Sequence, residues 1–263
     1  MGGGPAGMSL RLVCLCSVTL SACDLPPGAP TNEGPQILGV SPDPALPIDR
    51  FPTIRFELDR RVAPSSLSQG VVALTSGQNY QFTDVEIDVV HPALVVTSFD
   101  VLDPDVDYQI VVHSLTDLEG NASADDMTPI TFHVSAMLAP PSMDPPTYAD
   151  VAPTFERCVP CHAGENAAQG LDLSSADGLL RTAVDVPSRE VAPSVVGAHD
   201  QIVSAGLVGM RLIERQSASR SYLLYTMVGD EHIAGSPMPP DGPVSDAELE
   251  RLQDWIAAGT PGL

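Results

Sequence analysis

Two thiols and an imidazole stand together at Cys158-Val159-Pro160-Cys161-His162, the densest group of chemically active side chains in the sequence. Thiols three positions apart with a following His suit covalent attachment of haem c: each sulfur adds to one vinyl group, and the imidazole ligates the iron. His162 is then the proximal ligand, and its other ring nitrogen should donate to a backbone carbonyl that fixes the tautomer. Three alternatives share the pattern. A zinc site calls for two further Cys or His ligands at short spacing, and His199 and His232 are far apart and unpaired in the sequence. A thioredoxin-type redox pair calls for a βαβ context, which the flanking sequence lacks. The third is a chance match to a short pattern.

A sixth ligand for such an iron is offered by Gly235-Ser236-Pro237-Met238-Pro239-Pro240. A Met between prolines presents its thioether on a stiff loop, and His/Met ligation raises the potential while leaving no open coordination position. That combination favours outer-sphere electron transfer over substrate chemistry. An enzyme, such as a peroxidase subunit, would need an open iron site and normally a second haem motif. Met210 and Met227 are alternative ligands, although Met227 lies in the apolar helical run Tyr222-Leu223-Leu224-Tyr225-Thr226-Met227 and reads as core. His232 would make the site bis-His.

Of the five cysteines, three are taken up elsewhere. Residues 12–22 form an apolar run behind Arg11, too short to span a bilayer, which needs about 20 apolar residues. The run ends in Leu20-Ser21-Ala22-Cys23, which resembles the lipobox of bacterial lipoproteins. The resemblance implies that residues 1–22 are a signal peptide carrying Cys14 and Cys16 away, and that Cys23 is acylated. Several acyl chains hold a protein on a membrane durably where one does not. An ordinary secretory peptide with an incidental Cys is the alternative. On the lipobox reading the mature chain keeps only Cys158 and Cys161 as free thiols, in an oxidising cell-envelope compartment.

The elements that must position this chemistry lie in two stretches. Every one of the 12 basic residues is Arg, set against 34 acidic residues for a formal charge of −22. Such a field repels nucleic acid, which needs clustered cations against its phosphates, and leaves basic or neutral redox partners in the envelope. The same acidity also serves solubility. Residues 23–35 read as a Pro- and Gly-bearing tether. From 36 to 135 the pattern is β: alternation at 54–58 and 85–89, with β-rich runs at 71–74, 93–97, 108–112 and 130–134. Roughly seven strands at about 8–15-residue spacing suggest a sandwich. Val40-Ser41-Pro42, Ile54-Arg55-Phe56, Val62-Ala63-Pro64 and Leu102-Asp103-Pro104 make this stretch similar to bacterial Ig-like domains. Asp103, Asp105 and Asp107 alternate as in some calcium loops, but no complete ligand loop surrounds them, so they read as solvated turn residues. His91, His113 and His133 show no ligand spacing. Residues 136–146, rich in Pro, read as an extended linker.

From 147 to 263 the pattern becomes helical. Tyr148, Val151, Ala152 and Phe155 share one face leading into Cys158, with Asp150 as the expected cap and Pro153 in the first turn. Ser245 and Glu248 form a capping box. Leu249, Leu252, Trp255 and Ile256 follow as an apolar stripe, and Gly259 ends the helix. With Gly170-Leu171-Asp172-Leu173-Ser174, Ser219-Arg220-Ser221-Tyr222 and Met238-Pro239-Pro240, this segment resembles the mono-haem cytochrome c domains of planctomycete and myxobacterial envelope proteins. The resemblance implies first and last helices crossing with Phe155 near Trp255, and one haem held by Cys158, Cys161, His162 and Met238. The departure is 185–210, longer than usual and without motifs. The expected fold is therefore multidomain: an all-β Ig-like sandwich followed by an all-α cytochrome c fold. The expected function is a lipid-anchored electron carrier, not an enzyme. Its rival is a scaffold lipoprotein whose Ig-like domain binds a partner and whose haem is structural or sensory.

Overall fold

The alternating apolar runs of the first stretch pair into two antiparallel four-stranded sheets. The computed structural model describes residues 33–67, 71–123, 129–136, 144–193 and 205–263; residues 1–22 of the expected leader, Cys23 and His199 lie outside them. One sheet has the order β1 (Ile37–Ser41), β2 (Thr53–Leu58), β6 (Ala93–Ser98), β5 (Thr83–Asp88). The other has the order β4 (Asn79–Gln81), β3 (Val72–Ser76), β7 (Asp107–Val112), β8 (Ile130–His133). Successive side chains of a strand point to opposite faces, so β2 buries Ile54, Phe56 and Leu58 and turns Glu57 outward. Phe56 pairs with Leu94 in one sheet and Tyr108 with Phe132 in the other. These side chains meet in a single apolar core, each large one contributing about 1.5–3 kcal/mol by its burial.

Four α-helices lie wholly within the described residues: α1 (Tyr148–Phe155), α2 (Ala176–Thr182), α3 (Tyr222–Val228) and α4 (Asp246–Ala257). The cap of α1 is Thr147, not Asp150. Asp150 sits three positions inside, where its carboxylate accepts from the Thr147 backbone N–H at 2.8 Å and hydroxyl at 2.7 Å. That reciprocal contact satisfies the helix entrance and moves Pro153 beyond the first turn, where its missing N–H shortens the helix. Helix α4 starts at the Ser245–Glu248 box and buries Leu249, Leu252, Trp255 and Ile256. Trp255 meets Phe155 edge-on at 6.5 Å and Tyr148 at 6.4 Å. The Pro261 carbonyl accepts from the Tyr148 N–H and the Trp255 indole. Replacing Ser245 with Ala should cost about 1 kcal/mol, the usual worth of an N-cap, measured as a shift in urea midpoint.

The expected architecture needs correction. Helix and strand are mixed, at 23% and 25% of the described residues, and residues 32–263 form one compact unit. The second stretch is not all-α: segments on either side of residues 194–204 pair through bridges Val184↔Ile213 and Pro187↔Arg211, and Arg211 pairs with Ser221. The described parts of the long 185–210 segment thus supply extended wall instead of helix. The first stretch is not a separate body either, since Ala63, Val89, Val90 and Leu118 complete the apolar core of the helices. A Pro-rich connection governs how the chain passes from one part to the next, not whether their faces dock.

Candidate functional site

Helix α1 delivers the thiols. Its last turn runs on through Cys158 N–H to Phe155 O at 2.8 Å and His162 N–H to Cys158 O at 2.9 Å, so the motif begins as a continuation of the helix. Cys161 O then accepts from Ala168, and His162 O from Leu173, which pins the loop that follows. Cys158 is buried and Cys161 exposed, both as free thiols. Burial pushes the Cys158 thiol up, outweighing the pull of the Arg157 charge.

His162 places Nδ1 3.2 Å from the Ala168 carbonyl oxygen. Only a protonated Nδ1 makes that contact, so Nε2 keeps the lone pair that a metal needs. Among the described residues no group of three His, Cys, Asp or Glu side chains could hold a metal ion. The zinc and calcium alternatives therefore find no ligand set there. Asp107 is instead joined to His133 at 2.8 Å.

The two thiols and the imidazole open onto a cavity of about 680 Å³ whose wall also includes Met238. The volume falls within the range of sites for small molecules and cofactors. Leu171, Leu173, Leu212 and Leu223 make the wall largely apolar. Met238 is 38% exposed, and its backbone N–H donates to Thr226 O of α3 at 2.9 Å. Met227 also lines the cavity but is a core side chain of α3, 3% exposed. Met210 is not part of the lining. His232 is turned elsewhere, with Nδ1 2.7 Å from Asp230 and Nε2 3.4 Å from Glu119. The donor set, one thioether and one imidazole beside two thiols in an apolar cavity, fits a covalently attached haem.

Two contributors to the site, Arg157 and Glu190, escape sequence reasoning. Arg157 donates to the Pro243 and Gly242 carbonyls and to Asp241 at 3.0, 2.9 and 2.9 Å, tying the residue before Cys158 to the loop after Met238. Its place beside the motif in a chain poor in cations is the one available signal. Glu190 lies half-buried in the cavity wall; burial raises its carboxyl, partly offset by a hydrogen bond from Tyr222 and by His162. Tyr222 is in turn pushed up to about 12, chiefly by burial. Glu190, with Arg189, depends on how residues 186–190 pair across from Met210 and Leu212, which no local motif announces.

No protein-family model matches the chain, and no curated protein matches it. Among solved structures, the N-terminal part of the bacterial S-layer protein SbsC matches with a TM-score of 0.31 at 17% identity, over 39% of this chain and 24% of that one. Native alpha-2-macroglobulin from Escherichia coli, spanning domains MG0-NIE-MG1, matches with a TM-score of 0.30 at 14% identity, over 38% of this chain and 32% of that one. The chain spans only a quarter to a third of the length of these structures. Likeness this slight assigns neither family nor function.

Proposed function

We propose that the chain carries one haem c and passes single electrons between partners in the cell envelope, held to the membrane through lipid on Cys23. The observation that carries this reading is convergence: Cys158, Cys161, His162 and Met238 all line one apolar cavity. When bound, the haem supplies a one-electron Fe(III)/Fe(II) couple. Cys158 and Cys161 would hold it, each as a thioether made by adding its S–H across one vinyl group. His162 presents Nε2, its ring oriented by the Ala168 carbonyl. Met238 presents its sulfur from a loop braced by Thr226 and, through Asp241, by Arg157. The leucine wall excludes water, which limits reorganisation as charge on the site changes.

Cys23 lies outside the described residues, and among those described no helix is long and apolar enough to cross a membrane. The acidic surface suits basic or neutral partners and disfavours nucleic acid. The test is expression of the full chain with a cytochrome c maturation system, haem staining of a denaturing gel, and a reduced-minus-oxidised spectrum. Haem that survives denaturation and a reversible spectral change are expected. A chain without covalent haem sinks the reading, and a bound haem that no small donor reduces sinks the electron-transfer part of it.

A further inference from the structure

Three arginines line the cavity, and two of them already have carboxylate partners. Arg157 pairs with Asp241 at 2.9 Å and Arg181 reaches Asp172 at 3.5 Å. Arg189 has no ion pair or hydrogen bond among the described residues. Its guanidinium stands over Gly170, where an added Cβ would lie 3.7 Å from Nη1. In a chain with 34 acidic residues and 12 arginines, Arg189 lines an apolar cavity without a carboxylate partner among the described residues.

The adjacent residue adds an independent sign. Ser188 lines the same wall, and its Oγ is buried without a hydrogen-bond partner. Buried hydroxyls are nearly always satisfied, so an orphan at a cavity wall marks a missing acceptor. Glu190 does not fill that role, since the Ser188 hydroxyl has no hydrogen-bond partner among the described residues. A guanidinium and a hydroxyl side by side match a carboxylate, which takes charge-assisted hydrogen bonds from both.

We propose that Arg189, with Ser188 as second donor, binds a carboxylate of the cavity's occupant, one haem propionate on the reading above, on which this assignment rests. Residues 186–190 thereby acquire a role: they bring an anion-binding pair to a cavity whose thiols, imidazole and thioether come from elsewhere in the chain.

The test treats the full-length holoprotein with a water-soluble carbodiimide and a small amine. A reactive carboxylate then becomes an amide while the carbodiimide leaves as a urea. The haem is released from its thioethers with silver salt and weighed. In the parent protein and in Arg211→Gln, which makes the same charge change away from the cavity, one propionate should react about tenfold more slowly than the other, equivalent to ~1.4 kcal/mol of protection. In Arg189→Gln that protection should be lost, and in Ser188→Ala reduced. Equal reactivity of both propionates in the parent, or protection unchanged in Arg189→Gln, overturns the assignment while leaving the haem in place. A parent protein with no haem to release overturns the haem reading itself.

Discussion

Replacing Met238 with Ala should abolish the Met–iron charge-transfer band and lower the midpoint potential by on the order of 100 mV, within the ~0.8 V that axial ligation spans, while covalent haem stays on the chain. The expectation separates attachment from ligation. On the proposed reading Cys158 and Cys161 would hold the group whether or not a sixth ligand is present, whereas a thioether ligand would favour the reduced iron and raise the potential. Met238 is 38% exposed, on the wall of the cavity, with its backbone fixed to Thr226. Met227 is the informative control, since it lines the same cavity but is buried in α3. Met227→Ala should cost ~2–5 kcal/mol of stability, as core truncations do, and keep the band. A band that survives in Met238→Ala and disappears in Met227→Ala would reverse the ligand assignment.

How much of this is legible in the sequence differs between elements for physical reasons. Strands β2, β6 and β7 coincide with the alternating or β-branched runs expected at 54–58, 93–97 and 108–112, because burial on one face forces a period of two. Strand β4 leaves no such trace: Asn79 and Tyr80 are exposed, and a hairpin edge with no buried face has no pattern. Helix α1 is legible from its apolar stripe, though its cap falls at Thr147 instead of Asp150, and α4 from both its stripe and its capping box. Helix α2 is not, since only Gly178 and Leu179 of its seven residues are buried and its entrance rests on the Ser175 side chain. The site divides the same way. Cys158, Cys161 and His162 are adjacent in sequence and announce themselves, and Met238 is marked by its prolines. Arg189 and Ser188 reach the cavity only because 186–190 packs across from Leu212 and Met210, joined by Leu212 N–H to Val186 O and Ser188 N–H to Met210 O.

The docking of strands on helices is the least legible feature and carries the largest stability expectation. Arg61, just after β2, donates to Asp230, just after α3, at 2.8 Å, with the Asp230 side chain 2% exposed. Arg61 also donates to Val89 O, and Gln253 of α4 bridges Val89 N–H and Asp88. Removing one member of a buried ion pair leaves the other uncompensated, so Arg61→Met should cost ~3 kcal/mol. Asp230→Asn should cost a similar amount, with the two changes coupled by about 2 kcal/mol in a double-mutant cycle.

The pH dependence follows from the same contact. Burial alone would raise the Asp230 carboxyl, but hydrogen bonds from His232 and the Arg61 charge hold it below its usual 3.8. Its stabilisation is therefore present above pH 3.8 and is lost as pH falls through the depressed folded value. His232 is raised above its usual 6.5, first by its hydrogen bond to Asp230 and further by Glu119. Its contribution is full below pH 6.5 and fades as pH rises through the elevated folded value. Together these groups make the contact strongest between pH 3.8 and 6.5, and Asp230→Asn should flatten that window in urea melts of the holoprotein. Single variants within about 0.5 kcal/mol of the parent, the usual range for uncoupled surface changes, would mean that solvent screens the pair. Separate melting of strands and helices in the parent would mean that the two parts do not stabilise each other. A single cooperative transition that loses its acid and alkaline flanks only when Asp230 or His232 is replaced would tie the strand part to the cavity-bearing part, because Asp230 directly follows the helix that holds the Met238 loop.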